Sequence, residues 1–270
     1  MPAVNIDADS VERARSGDRE ALGVVLESLR PVVHRLAVSM LWDSSDAEDA
    51  TQEILVKVMT SLGGWRGEAT LTTWAYGIAI RHLARRRKSA TEAVGVSFDA
   101  FAGHLVEGLA DSSRADAEVL AQEVRVGCTL GMLQCLDRDE RITYVLGEIL
   151  GLPGQQAADI MGVGHDAYRK RLSRARGSIQ SFVSAHCGLV NDGAACRCTR
   201  RVERAIEVGR IDARTLRFAE ANVATIQHLQ DAGALMRALP ELAGDHATVT
   251  RLLELIPTAM NGERNEDRNS

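Results

Sequence analysis

The stretch Gly154–Arg176 has the sequence GQQAADIMGVGHDAYRKRLSRAR, which predicts two short helices joined by a tight turn. Ala158 is small at the point where the two helices have to approach closely. Gly162 stands where the first helix must end, and glycine adopts the required positive φ without steric cost. Asp166, or His165 before it, can cap the second helix. The pattern indicates a helix-turn-helix, a motif that places its second helix in the major groove of DNA.

The second helix of this motif is strongly basic. Its first turns can face base edges while the remainder meets phosphates. The alternative is an exposed basic helix that binds nothing. The basic residues are Arg169, Lys170, Arg171, Arg174 and Arg176. The residues expected to make apolar contacts inside the motif are Ile160, Val163, Tyr168 and Leu172.

An acidic segment, DAEDATQE at 46–53, begins another helix far upstream, with Ser44 or Ser45 as its N-cap. Residues placed about 100° apart form one apolar stripe and leave an acidic group on the opposite face. That face is either a solvated surface or a docking surface for a basic partner helix. The stripe consists of Ala47, Ala50, Ile54, Val58 and Leu62. The opposite group consists of Asp49, Gln52 and Glu53.

The segment Leu71–Lys88 combines aromatic with basic residues. No Asp or Glu occurs between Glu68 and Glu92, whereas four arginines and one lysine do. Basic side chains beside aromatic ones suit a single nucleic-acid strand with unstacked bases. Trp74 and Ile78 are four residues apart, so they can instead belong to a helix core.

The composition indicates an all-α protein. Of the 270 residues 45% are hydrophobic and only 4% aromatic, and Ala, Leu, Glu and Arg are abundant. The net charge of −5 counts against a nucleic-acid binder. The prediction of nucleic-acid binding therefore depends on basic segments within the acidic chain. No apolar run reaches the roughly 18 residues of a membrane span, and the first ten residues lack a basic secretory start. We therefore expect a cytoplasmic protein with reduced cysteines.

Breaks in the helical pattern divide the chain into four parts. We expect two small helical domains joined by a linker in which the periodicity fades, followed by an extension that is helical over much of its length. The parts are a first domain at 10–89, the linker at 90–115, a second domain at 116–184 and the extension at 185–270.

Together these residues resemble the extracytoplasmic-function sigma factors of the sigma-70 family, over about residues 10–184. The resemblance implies a region 2 domain at 10–89, a helix-turn-helix region 4 domain at 116–184, and no enzymatic reaction or required cofactor. Implied partners are promoter DNA and core RNA polymerase, through the β′ coiled coil and the β subunit, and an anti-sigma factor can be a further partner. The chain departs from the family pattern at Asp137, where relatives often have Pro, and at Ala167-Tyr168, which replaces a usual Thr-Val.

The resemblance also implies roles for individual residues. Polymerase docking falls on Asp46, Glu48, Asp49, Gln52 and Glu53. Reading of the minus-ten element falls on Trp65, Arg66, Thr72, Thr73, Trp74, Tyr76, Arg81 and Arg85, with phosphate neutralisation extending to Lys88. Reading of the minus-thirty-five element falls on Tyr168, Arg169, Lys170, Arg171 and Arg174.

The extension is not explained by the resemblance to typical family members. His186, Cys187, Cys196 and Cys198 lie within thirteen residues and could hold Zn²⁺ or Cu(I). There are two alternatives to a metal site. The cysteines could form a redox switch, or they could be unligated thiols in a connection between helices. Cys128 and Cys135, seven residues apart, are expected in a helix core. We expect the extension to restrain or tune the factor.

Three other classes of protein are alternatives to a sigma factor. A helix-turn-helix regulator would bind operator DNA without polymerase. A metal-storage protein would leave the two helical domains unexplained. An enzyme is disfavoured because the sequence has no phosphate loop, nucleophile elbow or paired His and carboxylate motif.

Overall fold

The computed structural model describes residues 6–86 and 96–214, and regular structure within these ranges is helical. Two short 3-10 turns at Leu62–Gly64 and Thr199–Arg201 and a π-helical turn at Val145–Ile149 complete it. No helix in the described ranges combines the length and hydropathy needed to cross a bilayer. The helices are α1 (Ala8–Arg15), α2 (Arg19–Leu41), α3 (Ser44–Ser61), α4 (Leu71–Arg85), α5 (Phe98–Val106), α6 (Ala117–Gln134), α7 (Arg138–Tyr144), α8 (Gly154–Met161), α9 (His165–His186) and α10 (Val202–Glu207).

The first bundle, α1–α4, is built around α2, which contacts each of the other three helices. The apolar stripe of α3 is buried, and Ile54 and Val58 are fully inaccessible to solvent. The predicted N-cap is wrong: Asp43, not Ser44 or Ser45, caps α3 and accepts a 2.9 Å hydrogen bond from the Asp46 amide. A carboxylate at this position also suits the positive end of the helix dipole.

Helix α5 lies where the sequence predicts a linker without periodicity. Ser97 caps it, accepting a 3.1 Å hydrogen bond from the Ala100 amide. Phe101 is buried, and its ring centroid lies 5.6 Å from that of Phe182 on α9. A nine-residue helix is marginal by itself, so packing against α9 stabilises it. The sequence misses it because so short an apolar pattern is ambiguous without its partner.

The second bundle, α6–α9, contains the helix-turn-helix, whose turn at Gly162 joins α8 to α9. Gly162 ends α8 with φ of 67°, and the Val163 amide donates to the Ala158 carbonyl at 3.1 Å. This is the left-handed helix ending that glycine favours. The predicted cap of α9 is wrong: Gly164 is its N-cap and supplies no side-chain hydrogen bond.

Helix α7 begins at a position where the sequence departs from the family pattern. Asp137 caps it, with its carboxylate accepting a 2.7 Å hydrogen bond from the Glu140 amide. A capping aspartate satisfies one of the free amides at a helix start. The departure at Asp137 is therefore compatible with a well-formed start of α7.

Two arginines of the second bundle join it to the first. Arg141 is buried and donates to the Met40 carbonyl at the end of α2 at 2.7 Å. Arg138 donates to the Arg86 carbonyl after α4 at 2.6 Å. Each arginine donates a hydrogen bond to a carbonyl at a helix end. Such a carbonyl has no donor within its own helix and would otherwise need water. The two bundles are in direct contact.

The extension is described to residue 214; its residues 185 and 186 end α9, and residues 187–214 fold back on α6 and on the segment after α5. Cys187 and Cys196 form an isolated parallel bridge, in which the Gly188 amide donates to the Cys196 carbonyl at 3.0 Å. Val202 at the start of α10 packs with Leu120 of α6. The remaining helices predicted for the extension fall at 215–260, outside the described residues, as do Arg87 and Lys88.

Candidate nucleic-acid interface

The acidic face of α3 is partly engaged by α4. Asp49 is exposed, whereas Asp46 lies 3.3 Å from the Arg86 guanidinium. Glu53 lies 3.5 Å from the same guanidinium and 3.2 Å from His82. Burial lowers the pKa of His82, and the Glu53 carboxylate opposes that shift. Four of the five residues predicted for polymerase docking thus share one surface. They are the acids Asp46, Asp49 and Glu53 and the half-buried amide of Gln52.

Glu48 points to a different set of contacts. Its two carboxylate oxygens accept hydrogen bonds of 3.0 and 3.1 Å from Arg30, whose side chain is buried in α2. Its carboxylate also lies 3.8 Å from His34. A buried guanidinium needs such a partner, because an unpaired buried charge is strongly destabilising. We therefore assign Glu48 mainly to holding α3 against α2.

The predicted minus-ten face lies along the loop before α4 and the start of that helix. The Trp65 indole donates to the Ala69 carbonyl at 3.2 Å, which holds the half-buried ring across the loop. Thr70 caps α4 by accepting from the Thr73 amide at 3.2 Å. Exposed basic side chains flank this surface at Arg66, Arg81 and Arg85. The half-buried members are Thr72, Thr73 and Trp74.

Tyr76, which is also predicted to contact the minus-ten element, is buried in the first bundle. Its side chain is only 6% exposed, and burial raises its pKa to about 12. Tyr76 lies on the stripe of α4 that also carries Ile80 and Leu83, which are buried four and seven residues later. The aromatic side chain therefore belongs to the core of the first bundle.

The predicted minus-thirty-five face is the outer surface of α9. Arg169 and Lys170 in its first turns are exposed. Arg171 lies 3.5 Å from Asp139, and the Arg174 guanidinium lies 3.4 Å from Glu140. Arg176 donates to Glu148 through Nε at 2.7 Å. Exposed ion pairs of this kind contribute little to stability and can be exchanged for phosphate contacts.

Tyr168, which is also predicted to contact the minus-thirty-five element, is buried between α9 and α7. The side chain is 1% exposed, and its hydroxyl donates to the Thr143 carbonyl at 3.4 Å. Burial raises its pKa to about 12. Tyr168 instead locks α9 onto α7, in agreement with the apolar role that the helix-turn-helix pattern also assigns to it.

The first helix of the helix-turn-helix touches the candidate minus-ten face. Gln156, on the first helix of the helix-turn-helix, donates to the Thr73 hydroxyl at 2.9 Å. Helices α4 and α8 pack side by side around this contact. The sequence gives no signal for it, because the two residues are 83 positions apart.

Four cysteines line one cavity of about 360 Å³ between α6, α5, α9 and the extension. Burial raises the pKa of the Cys128 thiol well above its ordinary value, and the nearby thiols of Cys198, Cys196 and Cys187 raise it further. Burial also raises the pKa of Cys196, to about 11. His186 does not line this cavity; its ring centroid lies 4.9 Å from that of Phe182.

Cys128 lines the same cavity as the three extension cysteines, although the sequence spacing does not group it with them. Its helical position among apolar neighbours suggested a core residue, and only the packing of the extension on α6 brings it to the other thiols. Cys135, seven residues later, donates to the Gly131 carbonyl at 3.5 Å and does not line the cavity.

Comparison with known proteins identifies relatives over most of the chain. Residues 25–93 match the family described as Sigma-70 region 2. The chain is 28% identical over 177 residues to the RNA polymerase sigma-H factor of Pseudomonas aeruginosa, covering 64% of this chain and 91% of that protein. It is 27% identical over 179 residues to the ECF RNA polymerase sigma-E factor of Escherichia coli, covering 64% of this chain and 92% of that protein.

A solved structure of the sigma factor RpoE in complex with the anti-sigma factor NepR, from Bartonella quintana, is also similar. The TM-score is 0.41 at 21% sequence identity, over 59% of this chain and 94% of that one.

Proposed function

Because the chain is an extracytoplasmic-function sigma factor of the sigma-70 family, a non-enzymatic subunit for transcription initiation with RNA polymerase, we propose that it reads two promoter elements. The loop before α4 and the start of α4 take the minus-ten element, and α9 takes the minus-thirty-five element. The observation that carries the proposal is the helix-turn-helix of α8, Gly162 and α9, which follows a region 2 domain in one chain. We place the protein in the cytoplasm, where RNA polymerase acts.

The minus-ten contact uses the loop from Trp65 to Thr70. A half-buried indole beside one exposed threonine, Thr70, and exposed arginines suits an unstacked base, because aromatic stacking and phosphate neutralisation act together on single strands. Binding energy gained from the melted strand offsets part of the cost of opening the duplex. Arg81 and Arg85 would neutralise phosphates, so promoter binding should weaken steeply as salt rises.

Polymerase docking uses the acidic surface of α3. Asp49 is exposed, and among the described residues Asp46 and Glu53 share one guanidinium, that of Arg86, while Glu53 also faces His82. A cluster with more acids than bases attracts a basic partner helix, such as one strand of the β′ coiled coil. Complementary charge of this kind raises the rate and specificity of association.

The contact between Gln156 and Thr73 supports a closed resting form. Two promoter elements centred about 25 base pairs apart are separated by on the order of 85 Å along B-form DNA. A helix-turn-helix that packs directly on α4 through the 2.9 Å bond between Gln156 and Thr73 cannot reach one element while the start of α4 reads the other. The two bundles have to separate, and the segment between α5 and α6 has to lengthen, before the promoter is read.

The extension is placed to oppose that separation. The Ala110 amide donates to the Arg200 carbonyl at 3.2 Å, and the Ser112 hydroxyl bonds to Glu203 at 2.6 Å. Arg201 donates to the Glu107 carbonyl on the same segment. These contacts hold the segment after α5 against α10 and α6. We therefore propose that the extension restrains the factor, alone or together with an anti-sigma factor.

Removal of the extension after Ser184 is expected to raise promoter-dependent transcription several-fold at limiting polymerase, because the connecting segment is released. The measurement is run-off transcription with purified core polymerase. Glu203→Ala should give a smaller increase in the full chain, since it breaks only the bond to Ser112. Glu207→Ala is the matched control on the same helix, where the carboxylate pairs with Arg204. Equal activity of truncated and full chains would remove the regulatory proposal.

A further inference from the structure

We propose that Cys128, Cys187, Cys196 and Cys198 bind one thiolate-preferring metal ion, with Zn²⁺ or Cu(I) as the matching chemistry. The site joins α6 of the second domain to the extension. His186, the fourth ligand expected from sequence spacing, is replaced by Cys128 from 58 residues earlier. Binding itself is independent of promoter recognition, whereas its regulatory consequence rests on the proposed function.

The four cysteines reach the cavity from three separate segments. Cys128 projects from α6, Cys187 ends α9, and Cys196 and Cys198 lie in the turn before α10. The Arg125 guanidinium hydrogen-bonds to the Cys198 thiol, and Arg201 lies close enough to Cys196 for their charges to interact. Convergence of four thiols from distant parts of a chain is the ligand set of a closed structural zinc site.

The bridge between Cys187 and Cys196 fixes two of the four cysteines side by side. The Gly188 amide donates to the Cys196 carbonyl at 3.0 Å, and a Cβ at Gly188 would collide with that carbonyl. The Val190 and Asn191 amides both donate to the Cys187 carbonyl, at 3.1 and 2.9 Å. This tight backbone loop positions the cysteines without help from a long element of secondary structure.

The charge around the cavity suits an anionic metal centre. Four thiolates around Zn²⁺ carry a net charge of 2−, and three arginines, Arg125, Arg201 and Arg210, line the same cavity together with one carboxylate, Asp43. The buried Nε of Arg125 has no hydrogen-bond partner among the described residues. A buried donor of this kind normally has an acceptor, and a metal-bound sulfur would supply one.

The thiols must turn toward a common centre when the metal binds. Within residues 6–86 and 96–214, no three His, Cys, Asp or Glu side chains are already arranged around one metal position. A cysteine sulfur is redirected by rotation about a single side-chain torsion, so the required change is local. Metal binding would therefore tighten the extension against α6.

This linkage gives the ion a role in the proposed restraint. Cys198 is followed directly by the segment whose Arg200 and Arg201 hold residues 107–110. A metal bridging that segment to α6 would stabilise the closed arrangement of the two bundles. Loss of the metal would loosen it, since the remaining contacts are a few hydrogen bonds and a small apolar cluster around Leu120 and Val202.

The test is metal binding by the full-length chain in the absence of polymerase and DNA. The reduced, chelator-treated protein is loaded with Zn²⁺, or anaerobically with Cu(I), desalted and analysed by inductively coupled plasma mass spectrometry. One tightly held ion per chain is expected, and competition with a chromophoric chelator decides which ion binds more tightly. Cobalt(II) should give the visible bands of a tetrahedral sulfur site.

Matched variants identify the ligands. Cys128→Ser and Cys128→Ala are each expected to weaken affinity for the tighter ion at least about tenfold. Cys135→Ser, on the same helix but outside the cavity, and His186→Ala should bind as the unaltered chain does. Circular dichroism verifies that each variant keeps its helical content. Less than a tenth of an equivalent of either ion on the unaltered chain, or unchanged affinity in a folded Cys128 variant, would overturn the proposal.

Discussion

Replacement of Arg141 by methionine is expected to lower the free energy of unfolding by about 3–5 kcal/mol. The buried guanidinium donates to the carbonyls of Leu133, Met40 and Leu136 at 2.9, 2.7 and 3.2 Å. These carbonyls lie where α2 and α6 end, so methionine would leave buried acceptors without donors. Its similar length limits the loss of packing, and the effect therefore reports mainly the hydrogen bonds.

Urea denaturation followed by circular dichroism measures this effect. Arg169→Met is the matched control, because Arg169 is exposed on α9 and its replacement should change stability by no more than about 0.5 kcal/mol. A loss below about 1 kcal/mol for Arg141→Met would show that these buried contacts do not join the two bundles.

Reversal of two acids on α3, Asp49→Lys with Glu53→Lys, is expected to weaken binding to core polymerase at least about tenfold. Like charges brought together at an interface cost several kcal/mol, and a tenfold loss corresponds to about 1.4 kcal/mol. The fold should survive, because both side chains are exposed. The affinity is measured by fluorescence anisotropy of labelled protein with core polymerase.

The control for that variant makes the same change in net charge elsewhere. Asp9→Lys with Glu12→Lys reverses two exposed acids on α1 and should leave polymerase affinity within about twofold. If both double variants lose affinity equally, total charge rather than the α3 surface governs binding. If neither does, polymerase docks on another part of the chain.

The sequence predicts helix positions well where periodicity is long. The stripe of α3 spans four turns, and all five of its residues are buried in the structure. The positive φ of Gly162 follows from residue type and position, since few other residues end a helix that way. Helix α5 is missed because its nine residues depend on a partner that lies some eighty positions away.

The roles of individual side chains are harder to predict. Tyr76 and Tyr168 were assigned to DNA from their residue type and motif position, but their helical phase places both in a core. Glu48 and the neighbouring Asp49 are both acidic, but Glu48 faces Arg30. No local sequence pattern predicts this contact, because Arg30 and Glu48 are 18 residues apart. Cys128 likewise joins the other thiols only after the extension packs on α6.

Run-off transcription with purified core polymerase across a panel of promoters tests the central claim most directly. We expect this chain to direct initiation from a subset of promoters, with the product lost when either the minus-ten or the minus-thirty-five element is scrambled. Transcription should also fall as salt rises, because phosphate contacts release counterions. No promoter-dependent product from any template, together with tight binding of duplex operator DNA without polymerase, would contradict the account and indicate a conventional helix-turn-helix regulator.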